Sequence, residues 1–126
     1  MDHTNKSKIL LVEDDESLSN VYVTRFEAEG FDIRRVGNGE DALAACINYQ
    51  PDIVLLDIMM PKVDGFDVLD ILRNTNQTKD LKIIILSALS QEMDMDKAMK
   101  LGADDYLVKS EVTIADVVQK VRASLA

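Results

Sequence analysis

Three short runs in this chain are apolar without alternation: Ile9-Leu10-Leu11-Val12 behind Lys8, Ile53-Val54-Leu55-Leu56, and Ile83-Ile84-Ile85-Leu86. A run with no period of two is expected as a strand covered on both faces. Asp32 to Val36 and Tyr106 to Val108 are shorter or carry charge, as at Arg34 and Arg35, and are predicted to be edge strands. Between the strands, apolar residues recur at helical spacing: Leu18, Val21, Tyr22 and Phe26, then Ala42, Leu43, Cys46 and Ile47, then Val68, Leu69 and Leu72. Ile114, Val117, Val118, Val121 and Leu125 mark the last helix, behind a Thr113 cap with Asp116 three residues on. Gly30, Gly37-Asn38-Gly39, Pro51 and Gly102 fall between these segments, where turns belong. Five strand-then-helix units with three fully apolar strands imply an α/β fold, a doubly wound parallel sheet with helices on both faces. In the order 2-1-3-4-5 the two charged strands become the edges.

The length of 126 residues, with 47% apolar, suits one domain that can bury a core without staples. Met1–Ser7 is polar and expected to fray, with residues 8–126 forming the domain and no room for an effector domain after the fifth helix. The lone cysteine, Cys46, can form no internal disulfide, and no leader or long apolar run is present, so a cytoplasmic location without membrane insertion is expected. A formal charge of −9 repels phosphate backbones and disfavours direct contact with nucleic acid.

In an open parallel sheet, ligands bind beyond the carboxyl ends of the strands, near the point where strand order reverses. Strand one ends in Glu13-Asp14-Asp15, strand three in Asp57, strand four in Ser87 and strand five in Lys109. Taken singly, each has a plain explanation: Asp15 as a helix cap, Ser87 in a turn, Lys109 as a solvated charge. Together they place carboxylates, a hydroxyl and an ammonium at one edge. Glu13, Asp14 and Asp57 would repel, which either raises their pKa values or calls for a cation, and an all-oxygen set suits Mg²⁺, which also favours a phosphate partner. A phosphate on Asp57 would need cations, which Lys109 and Mg²⁺ would provide.

The stretches Ile9 to Asp15, Pro51 to Pro61 with Asp64-Gly65, Leu86-Ser87-Ala88 and Gly102 to Lys109 closely resemble receiver domains of two-component response regulators, over about the whole chain. The resemblance implies a flavodoxin-like fold and a chemotaxis-regulator-like switch. It implies that Asp57 accepts a phosphoryl group from a phosphohistidine on a sensor histidine kinase or histidine phosphotransfer protein. It further implies that Glu13, Asp14, Asp57 and the backbone carbonyl of Met59 hold Mg²⁺, that Ser87 and Lys109 contact the phosphoryl oxygens, and that Tyr106 is an aromatic switch. Met59 and Leu89 would tune how fast the acyl phosphate hydrolyses. The protein would catalyse only its own phosphorylation and dephosphorylation.

Two departures from the family pattern stand out: Val63 replaces a methionine, and Ser110 stands where proline usually follows the lysine. A cis bond before a non-proline residue costs about 3–4 kcal/mol, so the Lys109-Ser110 bond is expected to be trans, with the following loop shifted and Lys109 reaching the phosphate less often. A haloacid-dehalogenase-like phosphatase would need an aspartate at Met59, and a flavodoxin-type carrier would not place Glu13-Asp14-Asp15 beside its phosphate. The alternative kept is a non-phosphorylated pseudo-receiver, which should have lost Asp57, Lys109 or an acidic-pocket member. Met93 and Met95, set among Glu92, Asp94 and Asp96, cannot both face the core, so at least one is expected at the surface. With Tyr106, Met95 is predicted to mark a face that engages a downstream protein or a second copy of the domain.

Overall fold

The apolar runs pair in parallel into one five-stranded sheet of order β2-β1-β3-β4-β5 in the computed structural model, which describes residues 6–126. The strands are β1 (Lys8–Val12), β2 (Asp32–Val36), β3 (Ile53–Leu56), β4 (Lys82–Ser87) and β5 (Asp105–Val108). They alternate with α1 (Glu16–Ala28), α2 (Gly39–Asn48), α3 (Gly65–Arg73), α4 (Glu92–Lys100) and α5 (Ile114–Leu125). Of the stretch expected to fray, residues 1–5 lie outside those described, while the carbonyl of Ser7 accepts a hydrogen bond from the Asp32 amide at 3.0 Å.

Side chains alternate across a strand, so each apolar run feeds two cores. Ile9, Leu11, Ile53, Leu55, Ile84 and Leu86 pack with Tyr22 and Phe26 of α1 and with Val117, Val118 and Val121 of α5. Leu10, Val12, Val54, Leu56, Ile83 and Ile85 pack with Ala42 and Cys46 of α2, with Val68, Leu69 and Leu72 of α3, and with Ala98 of α4. The unbroken apolarity of the three inner strands follows from having helices on both sides. Burial pushes the Cys46 thiol up to about 12, which leaves it protonated and unreactive.

Two apolar positions of the helical stripes face solvent. Val21, expected inside, is 56% exposed, and Ser19 is buried in its place with Tyr22 and Phe26. Ser19 is tolerated there because its hydroxyl donates to the Asp15 carbonyl at 2.8 Å, which satisfies the only polar group it brings. Ile47 likewise points outward at the end of α2, whose buried residues are Gly39, Ala42 and Cys46. Strand β4 begins one residue earlier and ends one later than the Ile83–Leu86 run, and β5 starts at Asp105.

Four of the helices begin with a side-chain cap, at Asp15, Asn38, Asp64 and Thr113, and Thr113 with Asp116 forms the expected reciprocal capping box. The fourth helix, α4, has no side-chain cap at Gln91 and buries only Ala98. Its far end is tied down instead. Arg73 donates to the Gly102 carbonyl at 2.8 Å and to the Leu81 carbonyl at 2.6 Å, and pairs with Asp104 at 3.1 Å.

Candidate functional site

Strand β1 lies between β2 and β3, so the chain leaves it on one side for β2 and returns on the other to β3. At that reversal the loops after β1 and β3 separate and leave a crevice at the carboxyl edge. Two backbone bonds extend the ladders one residue past the strands: the Glu13 amide donates to the Val36 carbonyl and the Asp57 amide to the Val12 carbonyl, each at 3.0 Å. Glu13 and Asp57 are thereby fixed by the sheet itself. They are only 2% and 5% exposed.

Lys109, which follows β5 directly, reaches across the sheet edge between them. Its Nζ donates to Glu13 Oε1 at 2.5 Å and to Asp57 Oδ2 at 3.1 Å. The other oxygens are also held: Glu13 Oε2 accepts from the Asp15 amide at 3.1 Å and Asp57 Oδ1 from the Met59 amide at 3.3 Å. Burial pushes the Glu13 carboxyl above its usual value, against the lowering effect of the Lys109 hydrogen bond. Burial acts against the Lys109 ammonium, but the hydrogen bond to Glu13 and the charge of Asp57 outweigh it and hold the ammonium above its usual value.

Asp14 completes the cluster from an exposed position, with one oxygen from each of Glu13, Asp14 and Asp57 lying within 4.8 Å of one another. An octahedral Mg²⁺ places opposite oxygens about 4.2 Å apart, so these hard oxygen donors fit such an ion after a small side-chain adjustment. Asp14 and Met59 also line an open groove with Met60, Asp64 and Phe66. Met59 is exposed beside Asp57.

The Lys109-Ser110 bond is trans, as expected, and the chain winds from it into a single 3₁₀ turn over Lys109–Glu111. The lysine nonetheless reaches both buried carboxylates.

Ser87, at the end of β4, is fully buried and accepts a hydrogen bond from the Leu89 amide at 3.1 Å. Tyr106 Oη donates to the Leu89 carbonyl at 2.8 Å, and burial raises its phenol above its usual value. One peptide unit on either side of Leu89 thus joins Ser87 to Tyr106. Met93 is 75% exposed and Met95 half-buried.

From the sequence Arg35 marks only an edge strand. Its Nε donates to the Glu13 carbonyl at 2.8 Å. Neighbouring residues on a strand point to opposite faces, so of Arg34 and Arg35 one had to lie on the side of α1, and that pairing was the available signal.

The response regulator receiver domain is the family whose sequence model matches residues 9–122, and the chain belongs to it. It is 36% identical over 118 residues to the DNA-binding dual master transcriptional regulator RpaA of Synechocystis, which covers 94% of this chain and 48% of that protein. It is 41% identical over 119 residues to the transcriptional regulatory protein CpxR of Klebsiella pneumoniae, covering 94% of this chain and 49% of that one. The chain spans about half the length of the curated relatives it matches. Among solved structures, the receiver domain of the Francisella response regulator 1452 superposes with a TM-score of 0.87 at 33% identity, covering 94% of this chain and 95% of that one. The chain is thus a receiver domain of the kind used in phosphorylation-based two-component signalling. Among the described residues no helix is long and apolar enough to cross a membrane.

Proposed function

We propose that Asp57 is the phosphoacceptor of a Mg²⁺-dependent phosphorelay switch. The observation that carries this reading is the Lys109 ammonium bridging two buried carboxylates with Asp14 beside them. A carboxylate nucleophile requires no general base. An Asp57 oxygen forms a bond to phosphorus as the bond from phosphorus to the donor imidazole breaks, and the protein's part is position and charge. Mg²⁺ held by Glu13, Asp14, Asp57 and the Met59 carbonyl would neutralise negative charge on the transferred group. Lys109 transfers part of its attention from Glu13 to a phosphoryl oxygen, and Ser87 donates to another after releasing the Leu89 amide. Water then hydrolyses the acyl phosphate and resets the switch, with the exposed Met59 and the half-buried Leu89 setting its access.

The donor in this reading is a sensor histidine kinase or a histidine phosphotransfer protein. The output is a change on the face formed by α4, β5 and α5, including Met95 and Tyr106, which engages a downstream protein or a second copy. This chain itself contacts no nucleic acid and no membrane interior, in keeping with its charge of −9. The DNA binding in RpaA's name belongs to a protein about twice as long. The pseudo-receiver reading is disfavoured by the retention of Asp57, Lys109 and the whole acidic cluster.

Incubation with acetyl phosphate and Mg²⁺ should add one phosphoryl group by intact mass, and chelation or Asp57→Asn should abolish it. An Asp57→Asn protein modified at the unsubstituted rate overturns the assignment.

A further inference from the structure

The acidic cluster contains one member whose placement is unexplained by its own contacts. Glu13 and Asp57 are buried and each has both carboxylate oxygens hydrogen-bonded. Asp14 is exposed, and among the described residues its carboxylate takes no hydrogen bond or ion pair. Its position therefore depends on the backbone that presents it. The peptide unit preceding Asp14 has the Glu13 carbonyl as its oxygen, and the amide of Glu13 is already committed to Val36.

That carbonyl has two donors. Ser19 Oγ lies at 3.4 Å and makes its shorter bond, 2.8 Å, to Asp15. Arg35 Nε lies at 2.8 Å and makes the stronger contact. The side chain reaches it from the neighbouring strand because Leu11 pairs with Arg35 in the ladder, which puts the arginine beside the end of β1. The guanidinium passes beside Gly37, where a Cβ would stand 3.4 Å from Nη2, at the near edge of ordinary van der Waals contact.

We infer that Arg35 is a positioning residue of the metal site: it fixes the Glu13-Asp14 peptide plane and so brings the Asp14 carboxylate to the divalent cation. The inference rests on the Mg²⁺ reading proposed above. Groups that orient ligands without touching the metal commonly change its affinity by about 10–100-fold when lost. The guanidinium also carries a positive charge close to the cluster, and charge alone would act in the opposite direction, repelling the cation. The two roles therefore predict opposite signs.

Glutamine separates them, because its amide nitrogen occupies the same place along the side chain as Nε of arginine. Arg35→Gln keeps an N–H at that atom and removes the charge; Arg35→Met has similar length and removes both. Mg²⁺ is titrated into each ¹⁵N-labelled 126-residue chain, and the Kd is read from the amide shifts of Glu13, Asp14 and Met59, with folding checked by circular dichroism. Arg35→Met should bind Mg²⁺ about tenfold more weakly, at the lower end of that range, and Arg35→Gln should recover most of the loss. If Arg35→Met is unfolded, Arg35→Thr, which suits an edge strand and cannot reach Glu13, takes its place. Unchanged or tighter binding by the methionine variant, or equal weakening by methionine and glutamine, overturns the inference and leaves the metal site standing. Failure of the unsubstituted chain to bind Mg²⁺ overturns the metal reading and this inference with it.

Discussion

Lys109 is the counterweight in a crevice where two buried carboxylates would otherwise repel. Breaking a buried ion pair by removing one partner costs about 3–5 kcal/mol, and since the lysine side chain is 20% exposed the smaller part of that range applies. Lys109→Met is therefore expected to lower stability by about 3 kcal/mol in chemical denaturation near neutral pH. The pH dependence has a definite sign. The folded-state value of Lys109 is raised, so its contribution is complete below its ordinary value of 10.5 and is lost as the pH rises through the raised one. Glu13 is raised as well, so the cost of burying its charge sets in as pH climbs from its ordinary 4.5 through the folded value. Without the lysine that cost is uncompensated. The variant should regain part of its lost stability as the pH falls from neutral towards the ordinary Glu13 value of 4.5, by protonation of Glu13. A deficit that stays constant over this interval would argue against Glu13 as the strained group.

At the scale of elements, α4 stands apart from the other four helices. It lacks a side-chain cap, buries one residue where α1, α2 and α5 bury three each and α3 buries four, and leaves Met93 and Met99 exposed. Helices in proteins derive most of their stability from packing one face, so this helix should be the least stable of the five. Its two ends also differ. Arg73 pins the Gly102 turn beyond the C-terminal end, whereas the N-terminal end follows the Leu89 segment that Ser87 and Tyr106 hold. Motion is thus expected at the end nearer the phosphoacceptor. Native-state hydrogen exchange should find the amides of the first turn of α4 less protected than those of α3 or α5. Gln91→Ser, by adding the missing cap, should stabilise the chain by about 0.5–1 kcal/mol and slow that exchange. Unchanged exchange in the capped variant would mean that the helix opens from elsewhere.

For the molecule as a whole, the sheet and its two cores form a frame whose carboxyl edge offers a path from the neighbourhood of Asp57 to a distant face without crossing packed apolar layers. It runs along the carboxyl edge through Ser87, Leu89 and Tyr106, to β5 and α4. Phosphorylation is expected to bias an existing equilibrium along this path, since a ligand shifts conformations only through contacts that differ between them. Beryllofluoride with Mg²⁺, standing in for the phosphoryl group, should perturb the amide resonances of Met95 and Tyr106 and leave those of α2 largely unmoved. Changes restricted to Glu13, Asp14, Asp57 and their neighbours would refute a switch that reaches the α4 face.

The fold was legible because its signals are local. Unbroken runs such as Ile83 to Leu86 report two covered faces, Thr113 with Asp116 reports a helix start, and the charges of β2 and β5 report edges. The strand ends were legible too, since a parallel sheet sends every carboxyl end to one side, so Glu13, Asp57 and Lys109 had to share an edge. What the sequence could not give was rotation and reach. Whether Ser19 or Val21 faces the core depends on a hydroxyl finding the Asp15 carbonyl, a contact that offsets the burial of a polar group and cannot be read from helical spacing. Whether Arg35 is a surface charge or a support for the acidic loop depends on which residue of β1 lies beside it. Strand register across the sheet decides that, through contacts between segments far apart in the chain, and local hydrophobic pattern carries no record of them.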